Sequence, residues 1–599
     1  MRFLSAIVAF VVAAAMIAFG IAQRTVLAPP DRLTTSAVAE GDAAFTVIDG
    51  SVLNSNAGQQ RLVVNGAEQI FVAYGRTTDV MAWLGSESYN AVSFDPKAAD
   101  LVAERVDPPA GAAAGDAPAG DSATGPSPLG SDLWLEERQS AGTLAWTVNV
   151  PDDVSVLIAS DGTLPAPSEV RLSWPLSHST PWAGPLIIGG GVLLLVGLFL
   201  YIWGLVHMRK TRGPRRKSGP KQRKLPQAPR PRAQRAAVLE PATTAKGRRS
   251  SRRSMIAAGG LTLVSGLLLS GCSSPELDTL LQGDEAPVPT STVTGAPVEE
   301  VVPVAVTEGQ LARIIGRVST TVAKADKDSD TDLLKTRMTG PAYQERKANY
   351  KIRGKNDKFD PVDPIPATPI KLDLPEATDT WPRTVMAVVG GDDPQVAPLA
   401  LVLVQDTPRD NYLVNYSMKL QANAPFPAVA PPEIGAAVLQ NDVKLLSVQP
   451  DQVGAEYADI LLKGKDSKFF DVFEAEPDGL RSQVGAEYKA KKKKDFPETA
   501  SLKFGNDTGS GPILAFASND SGAIVVTSII EQETAKPTAD GATVNLEGQA
   551  EALSGIKSTE TGVRSTYGFQ LMFYVPPSID EGKVLLLGYA QALIGVKEL

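Results

Sequence analysis

Three apolar segments divide the 599-residue chain, and a chain so divided cannot fold around one water-soluble core. Phe3 to Ala22 runs 20 residues without a charge, which at ~1.5 Å per residue spans a ~30 Å hydrocarbon layer. Gly184 to Val206 is again long enough to span, with Trp182 at one end, Tyr201 and Trp203 near the other, and Arg209 and Lys210 directly after it. The third segment, Met255 to Ser270, is shorter; Arg248, Arg249, Arg252 and Arg253 precede it, and Gly271 and Cys272 close it. The first can be read as an uncleaved anchor or as a cleaved signal ending near Gly20-Ile21-Ala22, and its length favours the anchor.

Charge orients these segments. The chain holds 58 basic and 67 acidic residues, yet between Arg209 and Arg253 stand 17 Lys/Arg and one acid, Glu240. A basic block is therefore embedded in an acidic protein. Positively charged loops stay on the cytoplasmic side, which predicts an outward first helix, a returning second helix and a cytoplasmic loop over 208–254. Pro, Arg and Lys fill that loop and leave it without a core. Arg209, Lys210, Arg212, Arg215, Arg216 and Lys217 form a patch apposed to anionic lipid, and no aromatic is interleaved there for stacking on nucleic-acid bases.

The segment after the basic loop resembles a bacterial lipoprotein signal, with a basic start, a short apolar stretch and Leu269-Ser270-Gly271-Cys272 in the place of a lipobox. The resemblance implies lipidation of Cys272 and cleavage before it. Arg252 and Arg253, followed by Ser254, Met255 and Ile256, also resemble a twin-arginine export motif, although Ala257 stands where a lysine is common. The other reading is a plain third transmembrane helix. An internal export signal resembles the topology of actinobacterial three-helix Rieske subunits, without their cluster motif; a fusion of two once separate proteins would give the same order.

Rare residues exclude chemistry. Cys272 is the sole cysteine, and His178 and His207 are the only histidines. No intramolecular disulfide, no Cys/His metal or iron–sulfur site and no Cys-His pair away from the membrane can be built from them. No GxxxxGK[ST], GxSxG or HExxH motif occurs either. No cofactor is expected.

Residues 23–182 alternate in the manner of strands, at Ala44 to Ile48, Gln60 to Val64, Gln69 to Tyr74, Tyr89 to Phe94, Leu144 to Val150, Val154 to Ala159 and Val170 to Trp174. This predicts an all-β sandwich, interrupted by a flexible Gly/Ala/Pro-rich insertion over 108–131, with Trp134 and Trp146 in the core. A stalk over 273–306 should precede two α+β modules, 307–445 and 446–599. In the first, helices are predicted over Glu308 to Ala325 and Thr331 to Tyr350, with a break at Gly340-Pro341; in the second, over Gln452 to Lys463 and Phe469 to Lys493. Helices followed by long antiparallel strands resemble tandem NTF2-like, or cystatin-like, modules. The hexapeptide QVGAEY occurs twice, at Gln452 to Tyr457 and Gln483 to Tyr488, with divergent flanks. Overall the chain resembles an uncharacterised family of actinobacterial envelope proteins through this arrangement and the MTGPAYQERKANY helix from Met338.

Two charged clusters invite chemistry. Asp326, Asp328, Asp330 and Asp332 resemble a calcium loop, but Thr331 replaces the turn glycine and Arg337 the bidentate glutamate, so the loop is expected to start a helix. Lys489, Lys491, Lys492, Lys493 and Lys494 are expected as a solvated helix end, with attraction to anionic lipid or wall polymer as the functional alternative. The sequence thus predicts a multidomain protein with two to three transmembrane helices, lying in the plasma membrane with both folded regions outside. Its expected role is non-enzymatic binding of the lipid bilayer, anionic lipid, a cell-wall polymer or an envelope protein. A carboxylate-dependent enzyme acting on envelope glycans and a secretion or assembly accessory are the alternatives.

Overall fold

The computed structural model describes residues 2–27, 30–39, 41–107, 126–176, 181–211, 302–390 and 396–599. Helix α1 (Arg2–Arg24) opens the chain. An N-terminal lobe follows, made of β1 (Arg32–Val38), β2 (Phe45–Ile48), α2 (Gly50–Leu53), β3 (Gln60–Arg76), α3 (Thr77–Leu84), β4 (Tyr89–Asp95), β5 (Asp100–Val106), β6 (Glu136–Val148), β7 (Val154–Ala159) and β8 (Glu169–Pro175). Helix α4 (Ala183–Thr211) comes next. Both α1 and α4 are long and apolar enough to cross a membrane. They pack through small residues: Ala6 and Ala13 are fully buried, and a Cβ at Gly190 would lie 2.7 Å from Ile17 Cγ1 and 3.0 Å from the Ala13 carbonyl oxygen.

All eight strands of the N-terminal lobe belong to one sheet, in the order β1-β8-β3-β7-β2-β4-β5, with β6 on the other edge of β3. Strand β3 makes this possible. It pairs with β8 through Arg61 to Asn65 and with β7 through Phe71 to Arg76, and between these stretches its register against β6 shifts at Gly66, whose φ of +94° suits glycine. The two layers expected of a sandwich are therefore halves of one bent sheet. It curls until the Leu101 N–H of β5 donates to Thr35 Oγ1 of β1 at 3.1 Å. Leu62, Val64, Trp146, Val156, Ile158 and Trp174 fill the interior. Trp134 is buried as well, in the turn before β6, and its indole donates to the Pro128 carbonyl at 2.7 Å.

The C-terminal lobe begins with α5 (Glu308–Asp328), α6 (Thr331–Lys335) and α7 (Gly340–Arg353), then β9 (Ile370–Pro375), β10 (Arg383–Val389), β11 (Leu399–Gln405), β12 (Leu413–Leu420) and β13 (Val438–Leu439). It continues through α8 (Pro450–Lys463), α9 (Gly479–Val484), α10 (Ala486–Lys494), β14 (Ala500–Thr508), β15 (Leu514–Ala517), β16 (Ala523–Pro537), β17 (Val544–Asn545), α11 (Gly548–Ser554), β18 (Ser558–Thr559), β19 (Val563–Val575) and β20 (Leu585–Glu598). Helix α5 starts at a capping box formed by Thr307 and Gln310. The predicted break holds: Gly340 takes a φ of +56° and Pro341 opens α7. Phe469 to Lys493 is not one helix, because Phe469 to Val472 form turns, Phe473 bridges to Val584, and Gly485 (φ −70°, ψ −174°) separates α9 from α10.

The two halves of this lobe share one sheet. Its order is β13-β15-β16-β19-β20-β12-β11-β10-β9, with β14 beside β16, and β12 joins β20 at Lys419/Tyr589 and Leu420/Gly588. The ends approach each other through a bridge between Glu376, just past β9, and Ala436, just before β13. Met386, Val402, Tyr416, Phe516, Val526 and Met572 from both halves pack inside. Outside, α5 covers β10 to β12 through Leu311, Ile315 and Val318, and α8 covers β16 and β19 through Val453, Tyr457 and Ile460. At roughly 1.5–3 kcal/mol per buried large apolar side chain, three such cores make the lobe a stable body.

Buried charge locks the two lobes together. Asp132, in the turn before β6, is fully buried; it accepts from Arg337 Nη1, from Arg317 Nη1 at 3.2 Å and from the Tyr412 N–H at 3.0 Å. Asp79 of α3 accepts from Arg76 Nε at 2.8 Å and from Arg383 Nη2 at 2.7 Å. Arg409 donates to the carbonyls of Trp83 and Leu84 at 2.8 and 2.7 Å, closing the end of α3. The described end of the expected stalk joins this interface: Ala305 and Val306 are buried, and Arg76 Nη1 donates to the Val304 carbonyl at 2.7 Å.

Candidate binding cavity

Helix α7 presents two faces with different tasks. Arg346, Tyr350 and Arg353, spaced i, i+4, i+7, all reach Asp326 at the end of α5: Arg346 through its carboxylate, Tyr350 through a 2.7 Å hydrogen bond, and Arg353 through the backbone carbonyl at 3.1 Å. Glu345, Asn349 and Ile352 share the same spacing one residue earlier and face a cavity of about 530 Å³. That size suits a small-molecule site.

The opposite walls come from the second half of the lobe. Gly485 breaks the chain so that α10 turns Tyr488 and Lys492 toward the cavity. Strand alternation and pairing place Glu531 and Glu533 of β16 on the same sheet face as Tyr567 and Phe569 of β19, with Glu531 directly opposite Tyr567. Lys489 is buried behind this wall. Its Nζ pairs with Glu531 Oε2 at 2.7 Å and donates to the carbonyls of Leu461 (3.1 Å) and Val484. Lys492 pairs with Glu533 at 2.5 Å. The lysine run is thus only partly the solvated helix end that its composition predicts: positions i and i+3 turn inward because β16 offers two acids there, while Lys491, Lys493 and Lys494 stay exposed.

Desolvation governs the ionisation of this wall. Burial raises the Glu345 carboxyl to about 7, with the neighbouring Asp363 charge adding to it; Arg346, Lys419 and the hydrogen bond from Gln570 only partly oppose it. Burial likewise raises Glu531 and lowers Lys489, each held back by the other's charge. Gln570 is fixed in turn, since its Oε1 accepts from the Ser417 N–H at 2.8 Å and its Nε2 donates to Glu345 Oε2 at 2.6 Å.

The other residues singled out from sequence lie elsewhere. Arg209 and Lys210 form the last turn of α4, favourable beside the negative helix end. Arg212, Arg215, Arg216, Lys217, Arg252, Arg253, Leu269, Ser270, Gly271 and Cys272 fall outside the described residues, as do His178 and most of the 108–131 insertion. The acidic loop behaves as a helix start: Asp330 caps α6 by accepting from the Asp332 and Leu333 N–H groups at 3.0 Å each, and Asp332 pairs with Lys335 in solvent. Among the described residues no three His, Cys, Asp or Glu side chains converge to hold a metal. Glu345 and Asn349 were legible only as the i, i+4 polar pair of a helix noticed for its resemblance.

These features define a class: two helices fit for a membrane, and two β-rich lobes joined by buried ion pairs, one of them with a polar cavity. Residues 302–598 match the family described as a domain of unknown function (DUF8094), a stretch that takes in the whole cavity and stops short of the N-terminal lobe. No curated protein and no solved structure matches the chain.

Proposed function

We propose that the chain is a membrane- and lipid-anchored cell-envelope protein, with a non-enzymatic binding or assembly role carried out by lobes outside the cytoplasm. The docking of the lobes through Asp132 and Asp79 carries this reading. When α1 and α4 both cross the bilayer, residues 30–176 lie on one side and Thr211 ends on the other. The C-terminal lobe grips the N-terminal lobe, so the chain needs a further crossing between Thr211 and Val302, and Met255 to Ser270 is the apolar segment available there. The basic residues from Arg209 onward favour a cytoplasmic loop and external lobes. A helix on an antiparallel sheet in each half of the C-terminal lobe is consistent with two fused NTF2-like units. The external partners in view are anionic lipid, a cell-wall polymer or an envelope protein.

The reading is tested by labelling with an alkyne fatty acid in a chain tagged at both ends. Wild type is expected to incorporate label and Cys272→Ala to lose it; no label on wild type, or undiminished label on the variant, overturns lipidation. Should cleavage before Cys272 yield two fragments, both are expected to elute together from the N-terminal tag in mild detergent, and fragments that separate contradict the docked lobes.

One observation favours a second reading, a carboxylate-dependent enzyme of envelope glycans: the cavity combines Glu345, raised to about 7, with Glu531 and the rings of Tyr488 and Tyr567. Turnover of envelope glycan that disappears in Glu345→Gln would establish it, and equal turnover in both proteins would remove it.

A further inference from the structure

The cavity wall has more negative charge than its cations meet. Glu345, Asp360, Asp363, Glu531 and Glu533 bring five carboxylates to the lining, where Lys492 is the sole lysine or arginine among the described residues. Three of the five are paired: Glu533 with Lys492, Glu531 with Lys489 from behind, and Asp363 with Lys419 at 2.6 Å on the rim. Glu345 is hydrogen-bonded by the Gln570 amide, and neither it nor Asp360 joins an ion pair among the described residues.

A second, independent feature points the same way. Asn349 is 7% exposed and lines the cavity; its Nδ2 donates to the Asp360 carbonyl at 2.9 Å, and its Oδ1 has no partner. A buried acceptor left unmade is costly. Asn349 follows Glu345 by one helical turn, so the two acceptors stand about 5–6 Å apart at their Cβ atoms, within reach of one donor group. Phe359, Tyr488, Tyr567 and Phe569 add apolar and aromatic surface around them.

Surplus carboxylate repels an anion, and a neutral polyol adds no counter-charge to Glu345, which Arg346 and Lys419 offset only in part. An ammonium brings both the charge and several N–H donors, and aromatic faces attract it further. We propose that this cavity binds a small organic amine, its ammonium held between the Glu345 carboxylate and Asn349 Oδ1 and its hydrocarbon part against the aromatic residues.

The test is calorimetry on the full-length, detergent-solubilised protein with three probes: benzylamine, benzyl alcohol and N-acetylglucosamine. Benzylamine is expected to bind at least about tenfold more tightly than benzyl alcohol, and Glu345→Gln to lose about that factor with a melting temperature no lower than that of the wild type at pH 6. Asp360→Asn, on the loop, is expected to weaken benzylamine by a smaller factor, and it serves if the helix variant does not fold. Benzylamine affinity should also rise from about pH 6 to about pH 8 as Glu345 ionises against Asp363, with Arg346, Lys419 and Gln570 as its other neighbours. The alcohol should show no such rise. Benzyl alcohol or the sugar binding as tightly as the amine, an amine affinity indifferent to both variants, or no amine binding up to about 10 mM would overturn the proposal.

Discussion

Buried charge is treated in opposite ways at the lobe interface and at the cavity wall. At the lobe interface each aspartate is matched by two arginines: Asp132 by Arg317 and Arg337, Asp79 by Arg76 and Arg383. At the cavity wall Glu345 is hydrogen-bonded by an amide and joins no ion pair among the described residues, and Glu531 shares a desolvated pair with Lys489. Ion pairing of each buried carboxylate fixes two bodies against each other. Incomplete pairing leaves a group whose proton affinity has shifted and whose counter-charge must come from elsewhere. The contrast separates charge that holds the structure from charge that is available to function.

The largest effect that could break this comparison is at the interface. Asp132→Ala strands Arg337 in a buried site and is expected to cost about 3–5 kcal/mol in urea unfolding, with the lobes becoming separable by limited proteolysis. A loss below about 1 kcal/mol would mean that the interface charges do not hold the lobes. Next comes the cavity pair. Lys489→Met leaves Glu531 buried without its partner and should cost about 2–3 kcal/mol, while Lys489→Met combined with Glu531→Gln should recover most of that loss. A double variant no better than the single would show that Lys489 acts through the Leu461 and Val484 carbonyls instead.

The smallest effect has the opposite sign. Glu345 binds its proton more tightly folded, at about 7, than unfolded, near 4.5, so the wild type loses stability as pH rises between those values. Glu345→Gln cannot ionise and should escape that loss. It is expected to match the wild type near pH 4.5 and to exceed it by on the order of 1–2 kcal/mol at pH 8, an allowance for water in the cavity included. Thermal unfolding across that range checks it, and a variant destabilised equally at every pH would show that the carboxylate is structural.

What the sequence discloses follows from how local each feature is. Strands β2, β4, β7 and β8 stand out by alternation, and their edges fall within a residue or two of expectation. Strand β3 reads as two because Gly66 and Glu68 interrupt its apolar pattern, although the pause is the bulge that bends the sheet. Strands β1 and β5 escape notice because they are polar and sit at the sheet's ends, where little of them is buried. QVGAEY shows the limit of local reading. Its first copy lies inside α8, where a Cβ at Gly454 would stand 3.2 Å from Thr527 Oγ1 and 3.3 Å from Ile529 Cγ2 and Tyr457 is buried; its second copy is split by Gly485 and turns Tyr488 to the cavity. Arg337 likewise looked like a substitution in a calcium-type loop, and its partner Asp132 lies 205 residues away in the other lobe. No spacing rule connects them, because the contact exists only after both lobes fold.

The central claim is that the two lobes form one docked body on one side of the membrane. It is tested by placing a single thiol at exposed Lys97 or exposed Lys583, in a Cys272→Ala background without other cysteines, and treating intact cells with a membrane-impermeant maleimide. The account predicts that Lys97→Cys and Lys583→Cys label from outside to the same extent. Labelling of one from outside and of the other only after lysis would contradict it.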